Sequence, residues 1–286
     1  MATAAAARLA FDAPGGPAML KRLASAAVLL PIFLLIVLKA PAVLFSALVV
    51  VASAAGLWEL VRMLEHAGRP VNRWLALGAG TAVTAAFAAS RQLEPFALPT
   101  FTLLLAVVAV LAAPVWRGRP DVERAAYTLL AIMYVGWLLG FGILLHDTSP
   151  FGAQLVLLVV GVTWVGETAA YLVGSTVGRH KLAPVVSPGK TVEGAVAQVV
   201  ASVAAGGALA AWLLPACGWM VGVGAGALLG VVGQFGDLAE SVIKRSAGTK
   251  DTGGLIPGHG GVLDRIDSLL FNFPAFYYFA LVAGCR

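Results

Sequence analysis

Several apolar stretches of this chain run uninterrupted for close to twenty residues, the length an α-helix needs to cross roughly 30 Å of hydrocarbon. With 60% hydrophobic and only 12% charged residues among 286, folding alone leaves too much apolar surface facing water, so lipid must act as solvent. A transmembrane β-barrel would alternate apolar and polar side chains over roughly ten-residue segments, and no such alternation is present. The expected fold class is therefore an all-α, polytopic integral membrane protein. The 33 glycines suit helices whose backbones approach closely, since lipid gives bulky apolar contacts little advantage.

Apolar runs between charged and Pro/Gly breaks predict about nine spans, near residues 23–39, 41–61, 74–90, 96–116, 125–145, 151–173, 194–214, 219–240 and 268–284. Alternating the loops puts sixteen of the nineteen Lys and Arg residues on one side, leaving Lys39, Arg91 and Arg286 on the other. The positive-inside rule makes the rich side cytoplasmic, with the amino terminus inside and the carboxyl terminus outside. The net charge of +5 thus reports topology, and no nucleic-acid partner is expected. Residues 1–20 read as a flexible tail, 21–150 as amino-terminal membrane helices and 151–286 as a carboxy-terminal catalytic region. Lys21 and Arg22 precede an apolar run with no small-residue cleavage site after it, which favours a retained anchor. Cys217 and Cys285 lack metal-ligand spacing, and a bond between them is not the expected outcome, although both fall near one membrane face.

An ionised side chain inside a membrane helix costs roughly 2.5–3.5 kcal/mol on insertion scales and so asks for a reason. Glu167, Glu193, Asp237, Glu240, Asp251, Asp264 and Asp267 all fall after residue 150, in or beside the predicted cytoplasmic loops. Helical spacing puts Trp164, Glu167 and Tyr171 on one face; Asp237, Glu240, Ser241 and Lys244 on a second; and Asp264, Asp267, Ser268 and Asn272 on a third. Gathered carboxylates repel unless protonated or bridged by cations, and oxygen ligands of this kind suit Mg²⁺. Local roles compete: Glu240 is expected to pair with Lys244 at i+4, whereas capping at the start of the last helix accounts for one of Asp237, Asp264 and Asp267 but not all three.

The adjoining loops carry the opposite charge. Ser187-Pro188-Gly189-Lys190-Thr191 and Lys244-Arg245-Ser246-Ala247-Gly248-Thr249-Lys250 mix cations, hydroxyls and flexible backbone suited to phosphate oxygens. Gly-Lys-Thr is shared with a Walker A loop, but Pro184 occupies the place of that loop's first Gly and no strand is expected before it. His259 stands between Pro257-Gly258 and Gly260-Gly261, where the backbone is free to approach a ligand.

Residues 241–267 read SVIKRSAGTKDTGGLIPGHGGVLDRID. This segment resembles the closing motif of the phosphatidate cytidylyltransferase (CDP-diacylglycerol synthase) family. Trp164 through Gly174, Ser187 through Gly194 and Gly236-Asp237 are similar to further family blocks. The resemblance is specific over about 164–267, with one departure, Glu167, where the family more usually has Asp.

The resemblance implies CTP and phosphatidate as substrates, CDP-diacylglycerol and pyrophosphate as products, Mg²⁺ together with a monovalent cation such as K⁺, and association as a homodimer. It implies a multi-pass protein of the inner membrane with its active site toward the cytoplasm. Carried onto this sequence, the catalytic candidates are Asp237, Asp264, Asp267 and Lys244, and the metal candidates are Glu167, Asp237, Asp264 and Asp267. The substrate-binding candidates are Tyr171, Ser187, Lys190, Thr191, Arg245, Lys250, Asp251, His259, Gly260, Gly261 and Arg265. Rival readings are a transporter, transfer to another lipid phosphate, and an inactive homologue.

Overall fold

The computed structural model describes residues 17–90, 94, 96–118, 120–253 and 260–285. Its helical segments are α1 Pro17–Lys39, α2 Ala42–His66, α3 Arg73–Ala89, α4 Ala97–Trp116, α5 Val122–His146, α6 Gly152–Thr176, α7 Val192–Leu213, α8 Trp219–Ser246 and α9 Leu263–Val282. Each overlaps one predicted span. Among the described residues six of them, α2 and α4 to α8, are long and apolar enough to cross a membrane, which makes this an all-α, multi-pass membrane protein. Helices dominate because the hydrocarbon offers backbone groups no partner, so each segment must satisfy its own. The first helix begins at Pro17, inside the predicted tail.

One expectation fails between α6 and α7. Strands β1 Lys181–Ala183 and β2 Ser187–Thr191 form an antiparallel hairpin that pairs Lys181 with Thr191 and Ala183 with Ser187. The Ser-Pro-Gly-Lys-Thr segment is thus itself a strand. Pro and Gly disfavour strands, so the pairing is imposed by outside contacts. Glu193, in the first turn of α7, accepts from His180 Nδ1 at 2.7 Å and from the His180 N–H. The Arg245 guanidinium of α8 donates to Val186 O across the turn. Thr191 then starts α7, its hydroxyl accepting from Gly194 N–H.

Packing groups α2–α5 and α6–α9, which meet where α9 lies against α5 and α2 and where α5 touches α6, while α1 touches α6 and α2. Fully buried Leu57, Phe87, Ile132, Ile143, Leu155, Leu158 and Leu263 belong to one core running through both groups. Within the second group α7 lies between α6 and α8. A Cβ on Gly226 would sit 2.2 Å from Ser202 O, so the α7–α8 contact is backbone against backbone. Midway along α5, Ile132–Trp137 takes a π-helical form. Thr84 of α3 donates to Gly136 O there at 2.8 Å, and its hydroxyl also meets Ser53 of α2 at 2.7 Å, giving the loosened backbone a partner.

The long helices α8 and α9 have unlike ends. Cys217, just before α8, is bonded to Cys285, just after α9, with Cα atoms 5.6 Å apart. This corrects the expectation from spacing: the pair becomes visible only once two helices bring the ends together. The opposite ends, Asp237 to Ser246 on α8 and Leu263 to Asp267 on α9, carry the charged residues.

Candidate active site

A groove of about 510 Å³ opens at those charged ends, walled by α6, the hairpin, the first turns of α7 and the last turns of α8. Ten predicted residues line it: Glu167, Tyr171, Ser187, Lys190, Thr191, Asp237, Lys244, Arg245, Lys250 and Asp251. Helix α6 brings Glu167 and Tyr171, the hairpin brings Ser187, Lys190 and Thr191, and α8 with its following segment brings the remainder.

Two lysines organise the charge. Lys190 of β2 meets Asp237 of α8 at 2.7 Å, with both side chains partly exposed. Lys244 lies between Glu240, one turn back at 2.6 Å, and Asp264 of α9 at 2.8 Å. The i,i+4 pair expected from sequence is therefore present, and a second carboxylate from another helix joins it. Glu240 is fully buried, so its charge depends on the Lys244 ammonium.

Asp264 has further work. Its Oδ2 accepts from Thr252 Oγ1 at 2.8 Å, from Gly261 N–H at 3.1 Å and from Thr252 N–H at 3.3 Å. It is not the capping residue of α9, which is Val262; it fastens the segment entering α9 while presenting Oδ1 to Lys244. Gly260 and Gly261 belong to that fastening, and Gly260 takes φ +82°, a conformation glycine enters without strain. Asp267 lies deeper, within electrostatic range of Asp237, Glu240 and Glu167, and its Oδ1 accepts from Ser268 N–H at 2.7 Å. A Cβ on Gly236 would meet Asp267 O at 2.7 Å, so only glycine lets α8 and α9 close up beside these carboxylates. Arg265, exposed, acts electrostatically on Glu167. Asp264, Asp267, Gly260, Gly261 and Arg265 thus stand behind or beside the groove, and His259 lies outside the described residues.

Carboxylate oxygens are the kind of donor a hard cation takes. Glu167, Asp237, Glu240 and Asp267 gather oxygen ligands in one region, and Glu240 Oε1 is buried with no hydrogen-bond partner among the described residues. Among those residues no three His, Cys, Asp or Glu side chains form a ready metal centre, so substrate phosphate or water would complete any coordination.

Sequence reasoning missed three residues here. Gln198 of α7 and Gln234 of α8 line the groove, and Gln234 Nε2 donates to Ala195 O and Gly230 O, tying α8 to α7. Glu59 of α2 is 3% exposed and accepts from Leu263 N–H at the start of α9. All three are polar groups inside apolar runs, the signal that singled out the later carboxylates.

Lysines paired with carboxylates beside a groove, in a chain with six helices fit to cross a membrane, mark a multi-pass membrane protein with a charged groove of the kind phosphate oxygens accept from. The chain matches the cytidylyltransferase family over residues 20–283. It is 39% identical over 191 residues to the phosphatidate cytidylyltransferase of Brucella suis biovar 1, covering 66% of this chain and 68% of that protein. It is 39% identical over 166 residues to the phosphatidate cytidylyltransferase of Staphylococcus saprophyticus, 55% of this chain and 60% of that one. An uncharacterized Escherichia coli protein, YnbB, is 43% identical over 153 residues, covering 53% and 50%. This chain belongs to the cytidylyltransferase family.

Proposed function

We propose that this protein is a CTP:phosphatidate cytidylyltransferase, forming CDP-diacylglycerol and pyrophosphate. The observation that carries the reading is the pair of carboxylate-held ammonium groups, Lys190 and Lys244, on the wall of one groove in a chain of this family. The obstacle to joining two polyanions is their repulsion. Lys190 and Lys244, with Arg245 and Lys250 on the same wall, offset it by donating to phosphate oxygens. A phosphomonoester has a second pKa of about 6, so the lipid phosphate is ionised near neutrality and needs no general base. Its oxygen bonds to the α-phosphorus of CTP as the bond from that phosphorus to the bridging oxygen breaks, and pyrophosphate leaves with the electron pair.

Asp237 and Asp267, with Glu167 and Asp264 nearby, are the residues that would hold Mg²⁺. When bound, the ion neutralises phosphate charge and orients the reacting groups. Glu167 keeps the charge of the family's more usual Asp and extends it by one methylene.

The same reading takes nine crossings, the amino terminus in the cytoplasm and the groove at the inner leaflet of the inner membrane. Soluble CTP then reaches a head group whose acyl chains stay in lipid. The cation bias supports this topology, as does the disulfide at the far ends of α8 and α9, because such bonds persist in oxidising compartments. The test is purified protein in detergent with phosphatidate, Mg²⁺ and CTP labelled at the α-phosphate. Label should appear in lipid; ion flux in proteoliposomes without transfer would overturn the reading in favour of a transporter.

A further inference from the structure

Glu59 lies in an apolar run of α2, between Leu57 and Leu60, which are fully buried. A carboxylate in such a place is costly unless the fold uses it. Its Oε2 accepts at 2.8 Å from the N–H of Leu263, 204 residues away and the first residue of α9. The first N–H groups of a helix lack intrahelical partners, and the capping residue of α9, Val262, offers no side-chain acceptor. Glu59 fills that place from another helix, putting negative charge where the helix dipole favours it.

The same carboxylate is clasped by the segment that enters α9. A Cβ on Gly261 would lie 2.7 Å from Oε2, and one on Gly253 would lie 2.8 Å from Oε1. Thr252 and Gly261, beside these contacts, are the residues that hold Asp264 Oδ2, and Asp264 Oδ1 holds Lys244. A chain of contacts therefore runs from the amino-terminal helices to the groove: Glu59, the start of α9, Asp264, Lys244.

We propose that Glu59 is a positioning residue for the transfer reaction, fixing the start of α9 so that Asp264 sets Lys244 in the groove. This rests on the cytidylyltransferase reading above. Glu59→Gln keeps the size and one acceptor but removes the charge. Misplacing a catalytic group by about an ångström costs on the order of a hundredfold, so kcat should fall between about tenfold and that limit. KM for CTP and for phosphatidate should stay within about twofold of wild type, and Glu59→Asp should recover part of the loss. Gly253→Ala, which keeps the carboxylate but crowds Oε1, should reproduce the fall in kcat.

Thermal midpoint in detergent is measured alongside. Wild-type kcat in both Glu59→Gln and Gly253→Ala would overturn the proposal, as would a loss explained wholly by the unfolded fraction. Where Glu59→Gln fails to insert, Gly253→Ala alone decides. Absence of transfer by the wild-type protein would instead sink the function itself, so the two failures are distinguishable.

Discussion

The two ends of the α8–α9 pair are built by different chemistry. One is closed by the Cys217–Cys285 bond above apolar residues; the other is held by ion pairs and hydrogen bonds around Lys244, Asp264 and Thr252. The covalent end fixes how far the helices can part, and the polar end fixes where ammonium groups face the groove. Each polar link is individually modest, so position there depends on several acting together. Damage to the first end should be read in stability, and damage to the second in turnover.

The largest effect belongs to the polar end. Asp264→Asn should leave the protein inserted and folded yet lower nucleotidyl transfer by about a hundredfold or more, because it weakens the hold on Lys244 and removes a candidate metal ligand. Radiolabel transfer measured against the folded fraction checks it; near-normal transfer would erase the functional contrast between the ends. Next is the contact that joins α8 to its neighbour. Gly226→Leu forces a side chain where Ser202 O lies 2.2 Å from the Cβ position, so yield of folded protein should fall sharply whatever the ligand. Size-exclusion profiles in detergent would report it, and an unchanged profile would mean that the α7–α8 contact is looser than described.

Cys217→Ser should be milder. Losing a bond across 68 residues typically costs about 2–4 kcal/mol, so the thermal midpoint should drop while kcat stays within about twofold. A large kcat loss without a midpoint shift would mean that the covalent end controls the groove after all.

The smallest effect lies away from both ends, at Asp121, which precedes α5 and accepts from Arg124 N–H and from its guanidinium. These contacts, the backbone N–H foremost, hold its carboxyl below the usual range. A depressed carboxylate stabilises above its unfolded pKa and loses that contribution as pH falls through its folded value. Asp121→Ala should therefore lower the thermal midpoint slightly at neutral pH, with mutant and wild type converging in acid. Scanning the midpoint against pH separates this from a pH-independent packing loss.

What sequence could reveal follows the same division. Lys244 and Glu240 are one turn apart, so their pairing follows from helix geometry alone. The groove was legible because its cations and hydroxyls sit in two short segments, 187–191 and 244–250, flanking the same helices. The partners of those groups were not. Asp237 meets Lys190 across 47 residues of chain, Glu59 meets Leu263 across 204, and Cys217 meets Cys285 across 68. Such pairs depend on which helices are neighbours, which apolar periodicity leaves open. The hairpin was hidden differently: apart from Thr191 its strands lack β-forming residues, and Glu193 and Arg245 hold the residues flanking them, His180 and Val186, from two helices.

The sulfur bridge also makes a closed loop of the polypeptide, containing α8, α9 and everything between. A single backbone scission anywhere inside that loop leaves two fragments still joined, so Asp237 and Asp264 cannot diffuse apart even when the peptide between them is cut. Nicked protein would run as one band until a reductant is added, and its proteolytic map would be readable only afterwards.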